Sequence, residues 1–360
     1  MQYPYVVKRR ASPPSPPPGH REPRTEPATY QEVVTLDHFG SADSFERSVQ
    51  PMPVPGPGEV VVHVLAASVQ FTDVIVRQGR YPGLRTAPPL VLGCDVIGEV
   101  VELGPGVSAL AVGDRVADLT LIGSYARYRT LRADRVVRVP KGLDVAEAAA
   151  LVLSWTTAYQ LLHRVANAVE GQRVLVVGAS GAVGQAVLAL GRLAGLNMWG
   201  TVHDANADRV RELGATPIAA DEDARRLVPG GFDVVLDGVG AQGGAHSWRQ
   251  VAPGGRLVVF GFTSPMHDHV PKWKVAWWML RLRMWNWLAS KKRRALFFSI
   301  DAVREAHPNW YRADLEHLFG LLEANMIKPK IAQRIGLDDI ATAHRRIEAG
   351  GLSGKIILCP

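Results

Sequence analysis

The chain has 360 residues, of which 47% are hydrophobic and 21% are charged, and this composition excludes a chain that is disordered throughout. Its two cysteines, Cys94 and Cys359, exclude a disulfide-stabilised scaffold and favour a reducing, cytoplasmic compartment. The net charge of +7 includes +3 within residues 1–28, and so small an excess gives no reason to expect nucleic-acid binding.

The chain opens with a proline-rich segment, residues 1–28, which is predicted to be a disordered or polyproline tail. Five prolines lie within residues 13–18, where they remove backbone donors and fix φ. A ligand for an SH3-type domain is the alternative interpretation. The first ten residues lack the basic-then-apolar order of a secretion signal, and no run of about 18 apolar residues predicts a transmembrane helix.

From about Tyr30 the pattern is typical of β-strands. A β-branched run at residues 59–67 follows a turn-rich segment, and residues 90–103 and 114–116 continue the pattern between glycine turns. Short, closely spaced strands of this kind predict a β-barrel-like module that extends to about Leu153.

The next part of the chain alternates helix and strand patterns. Residues 145–169, rich in Ala and Leu, predict a helix, and residues 173–177, which are apolar after Arg173, predict a parallel strand covered on both faces. Further strands are expected at residues 198–202, 232–236, 256–260 and 295–300, and further helices within residues 178–195, 208–213 and 314–324. This alternation predicts an α/β fold with a doubly wound, Rossmann-type parallel sheet. A terminal strand at residues 355–358 is expected to return to the first module.

A glycine-containing turn follows the strand at residues 173–177. Relative to the dinucleotide fingerprint G-x-G-x-x-G, Ala179 takes the first position, and Gly181 and Gly184 take the second and third. Gly181 lets the backbone approach a pyrophosphate, and Gly184 allows close packing of helix on strand. With the N–H groups of the helix start, the turn predicts a cofactor cradle of Ala179, Ser180, Gly181, Ala182, Val183 and Gly184.

The end of the second parallel strand bears on which dinucleotide is bound. An acidic residue there would bind the ribose 2′-hydroxyl of NAD. The strand ends at Thr201 and Val202, with no carboxylate where the acid is expected. Thr201, His203 and Arg209 are counted as cofactor contacts, and the last two could meet a 2′-phosphate. The sequence therefore favours NADPH, while Asp204, one position further on, keeps NADH open.

Several motifs extend over nearly the whole chain beyond the tail. They are VQFTD at residues 69–73, RQGRY at 77–81, PLVLG at 89–93, VGDRV at 112–116, the GASGAVG turn and SGKIIL at 353–358. Together they resemble the medium-chain dehydrogenase/reductase superfamily, in its zinc-independent quinone oxidoreductase or enoyl reductase branch. The resemblance implies a GroES-like catalytic domain of residues 29–153 and 302–360, a Rossmann domain of residues 154–301, and an active site in the cleft between them. It also implies a homodimer joined through sheet edges, here residues 295–300.

The resemblance also implies site residues. Gln70, where the branch usually has Asn, would lie beside the nicotinamide and substrate. Asp73 would orient this segment or serve as a structural partner of Arg77 or a backbone amide, and Tyr81 would line the cleft or pack on the barrel. Cofactor contacts carried over by position are Trp155, Thr157, Gly238, Phe260, Gly261, Phe262 and Lys355, the last of which reaches either the cofactor or a sheet partner. Zinc relatives have a cysteine near Gln70 and a His-Glu pair at Cys94-Asp95, so no metal is expected.

No acid–base constellation stands out in the sequence. A Tyr-x-x-x-Lys pair and a Gly-x-Ser-x-Gly elbow are both absent, which is typical of an enzyme whose cofactor carries the reaction. The expected activity is NADPH-dependent hydride transfer to an α,β-unsaturated carbonyl or a quinone, with Gln70, Tyr81 and backbone N–H groups stabilising the developing oxyanion. A metal-free carbonyl reductase or alcohol dehydrogenase and a non-catalytic NADPH-binding protein are the alternatives.

The segment from Trp273 to Trp287 is rich in tryptophan and precedes four basic residues, 291–294. At helical spacing an apolar face is formed by Trp273, Trp277, Leu280, Met284 and Trp287. Three interpretations are open: a lid or wall over a bulky hydrophobic substrate, packing in the core or a dimer interface, and contact with a membrane surface.

Overall fold

A computed structural model describes residues 29–81, 84, 86–203, 206–240, 244–261, 272–288 and 292–360 of the chain. The backbone of residues 272–288 is described, but the side chains of Lys272, Lys274, Val275 and Leu288 are not. The predicted tail at residues 1–28, Asp204 and the predicted cofactor contact Phe262 lie outside the described residues.

The first lobe is built from short strands, as the β-branched runs predict. Their bounds, with one intervening helix, are β1 Tyr30–Leu36, β2 Phe45–Pro51, β3 Glu59–Val69, α1 Phe71–Arg77, β4 Leu90–Val91, β5 Asp95–Leu103, β6 Arg115–Leu119, β7 Tyr128–Arg132 and β8 Val137–Arg138. Alternate valines of β3, such as Val60, Val62 and Val64, are buried against Val96 and Val100 of β5. Burial of such β-branched side chains on a pleated surface stabilises this lobe.

One long helical segment links the two lobes. It runs from Val145 to Val165 and is the sum of α2 Val145–Ala150, a π-helical turn Leu151–Trp155, α3 Thr156–Tyr159 and a second π-helical turn Gln160–Val165. Asp144 caps its start by accepting hydrogen bonds from the N–H groups of Ala146 and Glu147. Its buried alanines and leucines belong to one core that also contains residues of β5, β9 and the second lobe. The helix predicted at residues 145–169 therefore ends four residues earlier and joins both lobes.

The second lobe is a parallel six-stranded sheet with the strand order β11-β10-β9-β12-β13-β14. Its elements are β9 Arg173–Val177, α4 Ala182–Leu193, β10 Asn197–Val202, α5 Ala207–Glu212, β11 Thr216–Ala219, β12 Phe232–Asp237, α6 Ala245–Gln250, β13 Val251–Val259, α7 Lys272–Leu288 and β14 Arg294–Phe297. This order confirms the predicted doubly wound sheet, and β14 lies at its edge as expected. The last strand is shorter than predicted, because Ser299 caps the next helix.

The end of the chain returns to the first lobe. The elements are α8 Ile300–Ala306, α9 Pro308–Glu323, β15 Ile331–Ile335, α10 Ile340–Ala349 and β16 Lys355–Leu358. β16 pairs antiparallel with β3, where Ile356 lies opposite Val69. The predicted terminal strand is thus confirmed in both its bounds and its partner, and it brings Lys355 next to the start of α1.

Candidate active site

A cleft of about 1190 Å³ lies between the two lobes. The first lobe contributes the start of α1 and residues near Tyr81, and the returning strand β16 contributes Lys355. The second lobe contributes the turn between β9 and α4 and the loops after β12 and β13. Ligands bind open parallel sheets at the carboxyl ends of the strands, and these loops lie at those ends. The cleft therefore has the position expected of an active site.

The glycine turn has a backbone shape that only a few residue types accept. Gly178 has φ +84°, a left-handed conformation that side chains disfavour. A Cβ at Gly184 would lie 2.5 Å from the carbonyl oxygen of Gly178, so α4 packs directly on the turn. At Gly181 the nearest atom to such a Cβ is 3.4 Å away, which is ordinary contact. The two fingerprint glycines thus differ: Gly184 is required by the protein's own packing, whereas Gly181 faces open space.

The N-terminus of α4 presents backbone donors to the cleft. Gly181 is the residue before the helix, and its carbonyl accepts the first intrahelical bond from the N–H of Gln185. The N–H groups of Ala182, Val183 and Gly184 lie between that acceptor and the first intrahelical donor, the N–H of Gln185, and all three residues line the cleft. Free N–H groups and the positive end of the helix dipole make this a site for phosphate groups, so the turn fits the pyrophosphate of a dinucleotide.

Neighbouring side chains hold the turn in place. The hydroxyl of Thr201 accepts a hydrogen bond of 3.1 Å from the N–H of Gly178, and its carbonyl accepts one of 3.1 Å from Ala179. Gln185 donates from its amide to the carbonyl of Ser180 at 2.7 Å and accepts from Nε of Arg209 at 3.1 Å. Arg209 is thereby fixed beside the turn in the wall of the cleft, where its charge faces any bound phosphate.

A buried hydrogen-bond network lies at the opposite end of the cleft. The amide nitrogen of Gln70 donates to Oδ2 of Asp95 at 2.6 Å, and its Oε1 accepts from Nζ of Lys355 at 2.7 Å and from Oγ of Ser154 at 3.3 Å. Lys355 also donates to Oγ of Ser154 at 3.0 Å. The amide of Gln70 is therefore committed to protein partners, and the group that it holds at the cleft is the Lys355 side chain.

Burial disfavours the charged forms of the side chains in this network. Burial raises the pKa of Asp95 to about 6, and the nearby Lys355 lowers it. Burial lowers the pKa of Lys355, while Asp95, Cys94 and Asp73 raise it. The pKa of the Cys94 thiol lies well above its ordinary value, mainly because the thiol is buried. The charge of Asp95 thus favours the protonated form of Lys355 against the effect of burial, and the Lys355 amine stays a hydrogen-bond donor to Gln70 and Ser154.

Asp73 supports this segment from behind the cleft. Its Oδ2 accepts a hydrogen bond of 2.8 Å from the N–H of Gln70, which closes the first turn of α1. Its side chain does not pair with Arg77, whose guanidinium binds Glu348 instead. Asp73 is absent from the described lining of the cleft. In the structure Asp73 is therefore the partner of a backbone amide, one of the structural roles left open by the sequence, and its expected part in catalysis stays a prediction.

Asp73→Asn is expected to stabilise the folded chain at about pH 8 by on the order of 2–4 kcal/mol, and to change its stability little at about pH 4. Burial, with a contribution from Asp95, raises the pKa of Asp73 from 3.8 to about 7. Between those values the unfolded chain has released the proton while the folded chain retains it, so the stability of the unaltered protein falls as the pH rises through this range. Urea unfolding at both pH values measures the difference, and an equal offset at the two would contradict the assignment.

Tyr81 binds the start of α8 at the wall of the cleft. Its hydroxyl donates a hydrogen bond of 2.7 Å to Oδ2 of Asp301 in α8. Burial and the charge of Asp301 raise the pKa of Tyr81 above its ordinary value, so the phenol stays protonated and remains a donor at neutral pH.

The residues predicted from the sequence separate into two groups. The cleft wall contains Gln70, Tyr81, Trp155, Thr157, Ser180, Gly181, Ala182, Val183, Gly184, Arg209, Gly238, Phe260, Gly261 and Lys355. Asp73, Ala179, Thr201 and His203 do not line it, and of these Ala179 and Thr201 shape the glycine turn from behind. Sequence reasoning missed Ser154, Gln185 and Asp301. Ser154 and Gln185 adjoin motifs that were singled out, whereas no local signal marks Asp301.

The positions compared with zinc ligands hold a different set of groups. Gln70, Cys94 and Asp95 lie together, and the amide nitrogen of Gln70 is 3.4 Å from Sγ of Cys94. Within the described ranges, no three or more His, Cys, Asp or Glu side chains are grouped so that they could hold a metal ion.

The tryptophan-rich helix α7 does not form a lid in the described structure. No residue of Lys272–Leu288 is part of the described cleft wall. The described side chains of α7 instead pack on the second lobe, as the core-packing interpretation expects, and the lid and its bulky hydrophobic substrate stay predictions without support from the described residues.

Two family models match the chain. A model described as alcohol dehydrogenase GroES-like domain covers residues 56–141, and one described as zinc-binding dehydrogenase covers residues 205–358. The chain is 32% identical over 329 residues to a mycocerosic acid synthase-like polyketide synthase of Mycobacterium tuberculosis; the match covers 89% of this chain but 15% of that much longer protein.

Other relatives match over most of their length. The chain is 30% identical over 345 residues to the synaptic vesicle membrane protein VAT-1 homolog of Rattus norvegicus, a match that covers 91% of this chain and 83% of the relative. A solved structure of a mycobacterial quinone oxidoreductase superposes with a TM-score of 0.77 at 28% identity, covering 92% of this chain and 100% of the other.

Proposed function

Since this chain belongs to the medium-chain dehydrogenase/reductase superfamily, in the branch of quinone oxidoreductases and enoyl reductases, we propose that it is an NADPH-dependent, zinc-independent reductase of α,β-unsaturated carbonyl compounds or quinones. Membership makes the chain an oxidoreductase fold with a nicotinamide site; the choice of NADPH, the absence of zinc chemistry and the substrate are the proposal. The observation that supports this proposal is that one cleft contains both the glycine turn, which suits phosphate groups, and the Lys355 side chain, which Gln70 holds in place.

The chain's own residues divide the work of holding the dinucleotide. The helix start at Ala182 to Gly184 would bind the pyrophosphate, and Trp155 and Thr157 would flank the nicotinamide end of the cleft. When bound, the cofactor supplies the hydride that the protein itself cannot provide. The loops that carry Gly238 and Gly261 follow β12 and β13 and border the same cavity.

The donors at the other end of the cleft would act on the substrate oxygen. As a β-carbon accepts hydride, negative charge develops on the carbonyl oxygen, and donors fixed in advance stabilise that charge most. Lys355 is the side-chain donor that we assign to this role, because its ammonium has a third N–H beyond the two directed at Gln70 and Ser154. The single O–H of Tyr81 is donated to Asp301, so Tyr81 shapes the cleft wall. Gln70 becomes a positioning residue, because its own amide hydrogens are directed at Asp95 and Cys94. Solvent would supply the proton for the α-carbon.

The preference for NADPH is supported by Arg209. Its guanidinium lines the cleft next to the glycine turn and is braced by Gln185 on one side and by Glu212 at 3.0 Å on the other. A braced guanidinium can bind the 2′-phosphate of NADPH through charge-assisted hydrogen bonds. His203 is exposed at the end of β10 and does not line the described cleft, so we assign no contact to it.

Arg209→Ala is expected to raise the Kd for NADPH by about tenfold and to leave the Kd for NADH within about twofold. The phosphate that distinguishes the two cofactors loses its charged partner, whereas the shared parts keep theirs. Isothermal titration with each dinucleotide measures both constants. Equal weakening of the two would show that Arg209 supports the fold of the site and not the choice of cofactor.

A panel of substrates tests the reaction class. We expect steady NADPH oxidation with enones or quinones and little with simple aldehydes, in enzyme freed of metal by chelation. Turnover confined to aldehydes would favour a carbonyl reductase, and tight NADPH binding without turnover on any compound would favour a non-catalytic binding protein. Loss of activity on chelation, restored by zinc, would overturn the metal-free assignment.

A further inference from the structure

Helix α7 is fixed to the sheet by one of its faces. Leu282 is buried, and Met279 and Trp285 pack with it against the core formed by β13 and β14. The indole of Trp285 stacks on that of Trp248 with ring centroids 5.1 Å apart and planes 1° apart. The side chain of Asn286 accepts from the N–H of Ala295 at 2.6 Å and donates to its carbonyl at 2.8 Å. The helix is therefore docked on the edge strand with a defined orientation.

The opposite face of the same helix is apolar and exposed. Trp273 is 67% exposed, Trp277 46%, Leu280 49% and Trp287 86%. These residues follow each other at helical spacing and form one line, which we call the tryptophan stripe. A continuous line of exposed aromatic side chains is typical of an interaction surface, whereas single exposed apolar side chains are common anywhere on a protein. No residue of the stripe borders the described part of the active-site cleft.

The charge around the stripe has a single sign. Residues 269–300 contain eight Lys and Arg residues and no Asp or Glu, so this segment carries +8 while the whole chain carries +7. In the described part of the segment, Arg283, Lys292 and Arg294 are exposed. Three described, exposed cations thus lie on the same segment of the chain as the exposed indoles.

We propose that the tryptophan stripe and its flanking cations dock the chain on the surface of an anionic phospholipid bilayer, with α7 lying in the plane of the interface. Indole rings prefer the boundary between headgroups and acyl chains, where the ring is buried and its N–H stays hydrated. Lysine and arginine on the same element are attracted to anionic headgroups. No described helix is long and apolar enough to cross a bilayer, so contact along the surface is the mode that the helix allows.

A second copy of the chain is the competing occupant of this surface, because the resemblance implies a homodimer joined through residues 295–300, which overlap the strand β14 on which α7 is docked. The exposed cations Arg283, Lys292 and Arg294 would find no acidic side chain on the same segment of a second copy. An anionic bilayer neutralises these charges while it covers the indoles.

Co-sedimentation of the full chain with vesicles tests the proposal. We expect binding to vesicles of phosphatidylcholine and phosphatidylserine at about 3:1, much weaker binding to phosphatidylcholine alone, and release as salt is raised. The double variant Trp277→Ser/Trp287→Ser should bind at least about tenfold more weakly, and Arg283→Glu/Lys292→Glu should lose the preference for phosphatidylserine. Leu227→Ser, which alters a 50% exposed leucine elsewhere on the surface, should bind as the unaltered protein does.

Enzyme turnover and circular dichroism should be unchanged in all of these variants, because none of the altered side chains lines the described cleft or lies in a buried core. Light scattering after size-exclusion chromatography measures the oligomeric state and so tests the competing occupant, a second copy of the chain. A dimer that Trp277→Ser/Trp287→Ser converts to a monomer, with no vesicle binding by the unaltered protein, would overturn the proposal in favour of a second copy. Equal binding to neutral and anionic vesicles would overturn the assigned role of the charges.

Discussion

Lys355→Met is expected to lower kcat by about 100- to 1000-fold and to leave the Kd for NADPH within about threefold. The Lys355 ammonium is held in the cleft wall by Gln70 and Ser154, at 2.7 Å and 3.0 Å, and methionine keeps much of its length without its donor hydrogens. A donor that acts on charge developing in the transition state affects kcat more than ground-state binding. Stopped-flow NADPH oxidation under single-turnover conditions, with a reactive enone, measures the chemical step.

The same substitution also has a structural effect that a matched variant removes. Asp95 is buried beside Lys355, and without the ammonium it becomes a buried acid with no cation, which costs on the order of 3–5 kcal/mol of stability or is avoided by protonation. Lys355→Met/Asp95→Asn restores neutrality and should recover the melting temperature. Turnover should stay low in that double variant. Recovery of turnover together with stability would show that Lys355 acts only as the partner of Asp95.

Gly181→Ala is expected to raise the Kd for NADPH by about 10- to 100-fold with almost no change in melting temperature. The added methyl group finds no protein atom nearer than 3.4 Å, so the fold accepts it, but it occupies the space that the pyrophosphate needs above the helix start. Isothermal titration gives the affinity, and thermal unfolding of the cofactor-free chain gives the stability.

Two further glycines give the matched comparison. Gly184→Ala places a Cβ 2.5 Å from the backbone oxygen of Gly178, which cannot move aside, so this variant should lose stability as well as affinity. Gly320→Ala, in the last turn of α9 with nothing within 4 Å, should change neither affinity nor turnover. If Gly181→Ala bound NADPH as tightly as the unaltered chain, the dinucleotide would not lie along this turn.

The local patterns of the sequence determined the order of elements and the cofactor turn. The strand at residues 173–177 and the strand at 355–358 have the bounds predicted for them, because each is a short apolar run with one basic residue at its start and with a glycine close to one end. The glycine turn was predictable for the same reason, since its three glycines lie within seven residues and depend on backbone shape alone. Elements with weaker patterns, such as α1 and α10, were not predicted.

The tertiary structure alone decided how the active-site side chains are used and which face of α7 is buried. Gln70 meets Lys355 across 285 residues and Tyr81 meets Asp301 across 220, and no local pattern reports a hydrogen bond over such distances. In α7 both faces are apolar, so periodicity identified the tryptophan stripe as an apolar face but could not tell that Leu282 and Trp285, on the other side, would pack on the sheet. Which of the two apolar faces of a helix is buried depends on the surface against which the helix packs, and that surface forms only when the rest of the chain folds.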